Sequence, residues 1–231
     1  MDLRENLRVV RERIETACRT SGRDPSEVTL IAVSKTKPIE MMEEFAALGQ
    51  TVFGENHVQE IVEKYAAHPE YEYHMIGHLQ TNKVRNVVGK VKMIHSVDSL
   101  HLASAISKEA VKKGIVQEIL IEINAGNEES KYGFSFEEAP ERTREIAELP
   151  GLLVRGFMCV APYVPDPEEN RPLFRKMKEL SVDTSRQKFN NILTEILSMG
   201  MTNDYMTAIE EGATHVRIGT ALFGPREYKG A

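Results

Sequence analysis

Eight short apolar runs, separated by stretches of helical periodicity, predict an α/β protein: a single (β/α)₈ TIM barrel over residues 1–231, with a helix ahead of the first strand. Three observations carry that prediction. Strand and helix patterns alternate strictly; the first strand run, Leu30 to Val33, is continuously apolar, as in parallel sheets covered on both faces; and the chain opens on a helix while almost nothing follows the last strand. The opening helix could then cover the gap that a missing final helix leaves. An open doubly wound sheet is the alternative arrangement of the same elements. No linker, solenoid-length repeat or low-complexity tract divides the chain.

Leu3, Leu7, Val10, Ile14 and Ala17 share one helical face, and Ser21-Gly22 stops that helix. Asp24-Pro25 turns the chain into the run Leu30 to Val33, which leads to Lys35 and closes at Pro38. Pro38 opens a helix carrying Met41, Met42, Phe45 and Leu48. Thr51-Val52-Phe53 reads as a short strand broken by Gly54, and Glu55 to Tyr65 as a helix with Val58, Ile61 and Val62 on one face. Tyr73 to Ile76 is a strand ended by Gly77, Leu79 to Val88 a helix, Val91 to His95 a strand, and Ser99 to Lys113 a helix stopped by Gly114. Val116 to Ile123 is the clearest strand, followed by a polar loop from Asn124 to Gly133 and a helical stretch near 135 to 148. Leu152 to Val160 is a strand, and the loop Ala161 to Pro167 holds three prolines. Glu168 to Leu180 then reads as a helix, Ile192 to Leu197 as a strand, Asp204 to Glu211 as a short helix and Thr214 to Ile218 as the last strand.

Composition narrows the function. Hydrophobic residues at 41% and charged residues at 28% are ordinary for a globular protein. A net charge of −6 with no basic run argues against nucleic acid as a partner. No apolar stretch is long enough for a membrane span, and the start Met1-Asp2-Leu3-Arg4 lacks the apolar core of a signal peptide, so a cytoplasmic location is expected. Cys18 and Cys159 read as free thiols.

Barrel enzymes and open α/β sheets place chemistry at the carboxyl ends of their strands. Lys35 stands at such an end, where desolvation of an amine would favour its neutral, nucleophilic form; a lysine at a strand end also commonly just snorkels to water. The loops after strands seven and eight often bind phosphate in barrels. Here they read Ser198-Met199-Gly200-Met201-Thr202 and Arg217-Ile218-Gly219-Thr220, each with a glycine and a hydroxyl. In a closed barrel, strand one would neighbour strand eight, setting the amine beside that cradle. Asn56 and His78, after strands two and three, could contact a bound ring, whereas His57 reads as a helix cap or a satisfied loop side chain. His74 and His78 are four apart, but Gly77 intervenes and no His-Glu-x-x-His or cysteine pair supports zinc, so no metal is expected. Glu128-Glu129 and Asp166 to Glu169 read as solvated loop charges.

The motifs Ala-Val-Ser-Lys-Thr-Lys-Pro at 32–38, Phe-Gly-Glu-Asn at 53–56 and His-Met-Ile-Gly-His-Leu-Gln-Thr-Asn-Lys at 74–83 resemble those of the pyridoxal phosphate homeostasis proteins. The likeness continues in His-Ser-Val-Asp-Ser at 95–99, Glu-Glu-Ser-Lys-Tyr-Gly at 128–133, Leu-Ser-Met-Gly-Met at 197–201 and Val-Arg-Ile-Gly-Thr-Ala-Leu-Phe-Gly at 216–224. The resemblance implies a fold-type III barrel like that of alanine racemase, with pyridoxal 5′-phosphate as a Schiff base on Lys35. It implies that Ser198, Gly219 and Thr220 hold the phosphate while Met199 and Gly200 shape that loop. Asn56 and His78 would lie near the ring, with Arg217 the candidate for its nitrogen. Cys159, where the family more usually has a smaller residue, and the segment Thr202-Asn203-Asp204 depart from the pattern.

An arginine at the ring nitrogen disfavours a pyridinium and so weakens the electron sink that carbanion chemistry requires. Racemases of this fold add a second base from a further β domain, for which a chain ending at Ala231 has no room. The expected function is therefore a cofactor carrier with no catalytic residue, binding pyridoxal 5′-phosphate and releasing it by transimination in support of vitamin B6 homeostasis. A racemase-type enzyme with a base from within the barrel is the alternative, and a phosphate-binding barrel such as an aldolase a third. Expected partners beyond the cofactor are amino acids or apo-enzymes that depend on it, and a monomer is expected.

Overall fold

The architecture follows from eight strands whose outward faces are too apolar to leave in water. In the computed structural model, which describes residues 2–126, 132–187 and 189–225, they are β1 (Thr29–Val33), β2 (Val52–Glu55), β3 (Glu72–Met75), β4 (Met93–Val97), β5 (Gln117–Ile123), β6 (Leu152–Cys159), β7 (Ile192–Ser198) and β8 (His215–Ile218). They pair in sequential order into a closed parallel barrel. The seam between first and last strands is in register, with Thr29 opposite His215 and Ala32 opposite Ile218. The open-sheet alternative is thereby excluded.

The helices are α1 (Leu3–Thr20), α2 (Ile39–Ala47), α3 (Val58–Ala67), α4 (Leu100–Lys113), α5 (Ala139–Ala147), α6 (Arg171–Ser185), α7 (Tyr205–Glu210) and α8 (Thr220–Phe223). Local chemistry sets their ends. The Asp2 carboxylate caps α1 by accepting from Glu5 N–H, Ser99 caps α4 through Leu102 N–H, and Gly114 ends α4 in the left-handed conformation at φ 66°. The opening helix packs against α7, α8 and α2, and Asn6 donates to Leu222 O across 2.8 Å. It thus fills the sector between the last and first strands beside the very short α8. Phe45 of α2 meets Phe223 of α8 edge-on at 4.8 Å between centroids.

Alternation along each strand divides the interior. Outward residues such as Ile94, Ile119, Ile121, Phe157 and Leu197 join the main core under the helices. A separate small cluster of Met93, Leu120, Met158 and Ile196 comes from the opposite faces of β4 to β7 and fills part of the barrel. The rest of that interior is polar, with the rings of His74, His95 and His215 packed at 5.0 to 6.3 Å between centroids. Among the described residues, no helix is long and apolar enough to cross a membrane. Neither cysteine forms a disulfide, and both are buried.

Three expected elements differ. Glu55 belongs to β2, not to the following helix, because its side chain is drawn into a buried ion network. Residues expected as a helix from Leu79 form only a 3₁₀ turn at Thr81–Asn86, consistent with the poor helix propensity of its Thr, Asn and Val residues. The helix expected from Glu168 begins as a 3₁₀ turn at Pro167–Asn170 and becomes α-helical at Arg171, next to Pro172. Asp166 caps the first of these turns, and Glu168 pairs with Arg171. Glu128 and Glu129 lie outside the described residues.

Candidate functional site

The carboxyl ends of β1, β7 and β8 bring together most of the residues singled out in the sequence. Lys35 occupies a turn just past β1 and is partly buried. The next residue, Thr36, takes the left-handed conformation at φ 62°, which a β-branched side chain rarely adopts. Both neighbours of Lys35 are held from outside the barrel. Lys64 of α3 donates to Ser34 O at 2.8 Å, Glu55 Oε1 at 2.7 Å and Glu60 Oε2 at 2.9 Å, which uses all three ammonium protons. Ser34 Oγ donates to Glu55 Oε1 at 2.6 Å, and Thr36 N–H donates to Glu60 Oε2 at 2.8 Å. A strained turn is therefore clamped on either side of the amine it carries. Burial pushes the Glu55 carboxyl up to about 7 against the pull of Lys64 and Ser34. Burial also pushes Glu60 up, but Lys64 and the Thr36 N–H outweigh it and hold this carboxyl below the usual range.

Across the seam, β8 ends in Ile218, and Gly219 begins α8 with exposed Thr220 beside it. A Cβ added to Gly219 would meet nothing nearer than Val33 Cβ at 3.5 Å, an ordinary contact. Its φ of −110° is open to any residue. Packing of the chain does not demand glycine there, whereas close approach of an anion to the backbone would. Gly200 is different: at φ 91° a Cβ would lie 2.6 Å from Ala208 Cβ, so the fold itself needs this glycine. Met199 is fully buried in the outer core, so only its backbone can face the site. Thr202 Oγ1 accepts from Ala221 N–H at 3.5 Å and ties the loop after β7 to α8.

Inside the barrel mouth, the Arg217 guanidinium donates to Ser198 Oγ at 2.6 Å and to Cys159 O at 2.7 Å. Asn56 lies just past β2 with its backbone packed against Gly77, where a Cβ would approach Asn56 Cα to 2.7 Å. His78 is an exposed rim residue, bonded to Asp98 at 3.1 Å and stacked on Tyr132 at 3.8 Å. His57 holds the N-cap position of α3 without a side-chain capping bond. His74 points into the barrel and lies 2.8 Å from His95.

Sequence reading missed the Ser34–Glu55–Lys64–Glu60 clamp and Glu122. The latter is a partly buried carboxyl on β5 that burial and the nearby Asp98 charge push up to about 7 despite Arg217. The only signal for Lys64 was its apolar-face position in α3, where a lysine is out of place unless paired.

Residues 2–227 match the family model of the alanine racemase N-terminal domain. The pyridoxal phosphate homeostasis protein of Aquifex aeolicus is 47% identical over 230 residues, which cover 99% of this chain and 100% of that protein. The solved structure of PipY from Synechococcus elongatus with PLP bound is 33% identical, covers 93% of this chain and 100% of that one, and superposes with a TM-score of 0.79. An alanine racemase of Clostridium difficile shares the fold at a TM-score of 0.76 with 15% identity, over 99% of this chain and 58% of its own.

Proposed function

The chain belongs to the alanine racemase N-terminal domain family, and from that premise we propose that it binds pyridoxal 5′-phosphate and serves intracellular vitamin B6 homeostasis. One observation carries the reading: the turn that carries Lys35 past β1 is clamped on both sides, and across the β1–β8 seam, beside Val33 at the end of β1, stands a glycine that the fold does not require. The name of the Aquifex relative and the PLP in the PipY structure support the same ligand. The cofactor supplies an aldehyde that condenses reversibly with primary amines. Everything else comes from this chain.

Lys35 would be the amine that holds the aldehyde. Ser198, Gly219 and Thr220 would bind the phosphate, with the backbone of Met199 and Gly200 shaping that loop. Asn56 and His78 would border the ring, and Arg217 would face its nitrogen. As an obligate donor, Arg217 leaves that nitrogen unprotonated, which favours holding the cofactor over carbanion chemistry. In this reading the barrel is one cofactor-binding unit, acting as a cytoplasmic monomer that releases its cargo to an amine of an amino acid or of a dependent apo-enzyme.

Visible absorbance of the protein saturated with pyridoxal 5′-phosphate, beside Lys35→Ala, tests the proposal. A band in the wild type that the variant lacks is expected, with a cofactor-sized adduct on Lys35 after borohydride reduction and peptide mapping. A colourless wild type, or an adduct elsewhere, overturns it. Glu122 favours one second reading, a racemase-type enzyme with a base inside the barrel, because its carboxyl titrates near neutrality within the mouth. Solvent-deuterium exchange at the α-carbon of amino acids, above that of free cofactor and lost in Glu122→Gln, would establish that reading instead.

A further inference from the structure

A continuous chain of hydrogen bonds runs through the polar part of the barrel. Arg217 Nη1 lies 2.6 Å from Ser198 Oγ, Ser198 Oγ 2.9 Å from His95 Nδ1, His95 Nε2 2.8 Å from His74 Nδ1, and His74 Nε2 2.9 Å from Glu72 Oε1. Ser198, His95 and His74 are all at most 1% exposed. Glu72 starts β3 at the opposite end of the barrel, and its side chain is 43% exposed. The chain thus spans from the site to water at the floor.

Its ends dictate its direction. Arg217 can only donate and an ionised Glu72 can only accept. With both histidines neutral, one arrangement satisfies every bond: the Ser198 hydroxyl donates to His95 Nδ1, His95 Nε2–H donates to His74 Nδ1, and His74 Nε2–H donates to Glu72. In that state the Ser198 proton points down, away from any ligand above. With one proton added to His74, again one arrangement survives. His74 Nδ1–H donates to His95 Nε2, His95 Nδ1–H donates to Ser198 Oγ, and the Ser198 hydroxyl proton is released toward the mouth.

We propose that the Glu72–His74–His95–Ser198 chain couples binding of a phosphate monoester at the open end of the barrel to uptake of one proton by His74 at its floor. The balance is simple. The Ser198 proton passes to His95 Nδ1, the His95 Nε2 proton passes to His74 Nδ1, and Ser198 takes one proton from solvent or from the ligand's monoanion, which it then presents to the bound dianion. The proton rests on His74 because Glu72 neutralises an imidazolium there. His95, held well below the ordinary histidine range by burial first and then by its neighbours His74, His215 and Arg217, serves only to pass it on. The other groups facing the floor are His215, kept neutral by burial that pushes it down to about 3, Lys92, Glu118, Arg155, Glu195 and, above them, Arg217. Lys92 and Arg155 are paired with Glu118, and Arg155 also with Glu195, which leaves Glu72 as the carboxylate bonded to His74.

This inference rests on the cofactor reading, and its test separates the two. The probe is pyridoxine 5′-phosphate, which carries an alcohol in place of the aldehyde and so cannot react with Lys35. Titration calorimetry at pH 8 in buffers of different ionisation enthalpy counts linked protons when the ester, with a second ionisation near pH ~6, is already a dianion. Wild type is expected to take up a proton and to lose affinity by up to about tenfold per pH unit as pH rises. Glu72→Gln retains an acceptor for His74 but no charge and should bind with no linked proton; Ser198→Ala cuts the chain at its top and also removes a phosphate contact, so it should bind more weakly and likewise with no linked proton. ¹⁵N signals of His95 should move from the Nε2–H to the Nδ1–H tautomer on binding in wild type alone. A purely structural chain would show no tautomer change. Binding with equal proton uptake in all three proteins, or with none in wild type, overturns the coupling. Failure of both this ester and pyridoxal 5′-phosphate to bind overturns the cofactor reading and the coupling with it.

Discussion

Two glycines beside the cradle are held for opposite reasons, and substitution separates them. Gly219→Ala should leave the melting temperature unchanged, since its Cβ meets only Val33 at 3.5 Å, yet weaken pyridoxal 5′-phosphate binding by roughly tenfold or more through the lost approach to backbone N–H groups. Gly200→Ala should instead destabilise by about 1–3 kcal/mol through the 2.6 Å approach to Ala208 and the positive φ. Thermal denaturation with cofactor titration on each variant reads both outcomes. Lys64→Met removes the cation from a carboxylate whose side chain is fully buried and should cost about 3–5 kcal/mol by denaturant titration, with a lower yield of adduct on Lys35 in whatever folds. The positions of Lys35, of the loop after β7 and of Gly219–Thr220, the proposed cradle, at strand ends are legible in the sequence because each is a short contiguous string. The clamp and the histidine chain are not: Lys64 lies 9 positions from Glu55, His74 lies 21 from His95, and His95 lies 103 from Ser198. The first pair needs α3 to fold back on β2, the second needs β3 to pair with β4, and the third needs the barrel to close.

At the scale of elements, alternation of apolar runs with helical stretches locates every strand, while boundaries depend on tertiary contacts. Expected at Val91 to His95, β4 runs from Met93 to Val97 because pairing with β5, including Val97 with Ile121, extends it. Gly156 marks a place where two strands approach too closely for any side chain. At φ 147° its Cβ would stand 1.9 Å from Ile196 O, where the register between β6 and β7 shifts. Gly156→Ala must therefore part β6 from β7, at a cost of about 3 kcal/mol or more. Chemical denaturation should show that loss, and a wild-type midpoint would refute it. Its place inside an apolar strand run sets this glycine apart from those of the turns, but the backbone that requires it lies on a strand some forty residues away.

For the molecule as a whole, the raised carboxyls tie stability to pH. Glu122 has a folded value of about 7 against 4.5 for the ordinary side chain, so the folded state binds more protons. Its contribution is full below pH ~4.5 and is lost as pH rises through about 7, on the order of 1–2 kcal/mol for a partly buried group. Denaturant titrations between pH 5 and pH 9 should show that decline, and Glu122→Gln should flatten it. The same closed topology also bears on how the protein is made. In the proposed site Lys35 follows the first strand and the phosphate cradle follows the last, and β1 pairs with β8 only when nearly the whole chain is in place. A nascent chain on the ribosome would then have no such site until its final strand has emerged, and in refolding the coloured complex should appear with the slowest, most non-local phase.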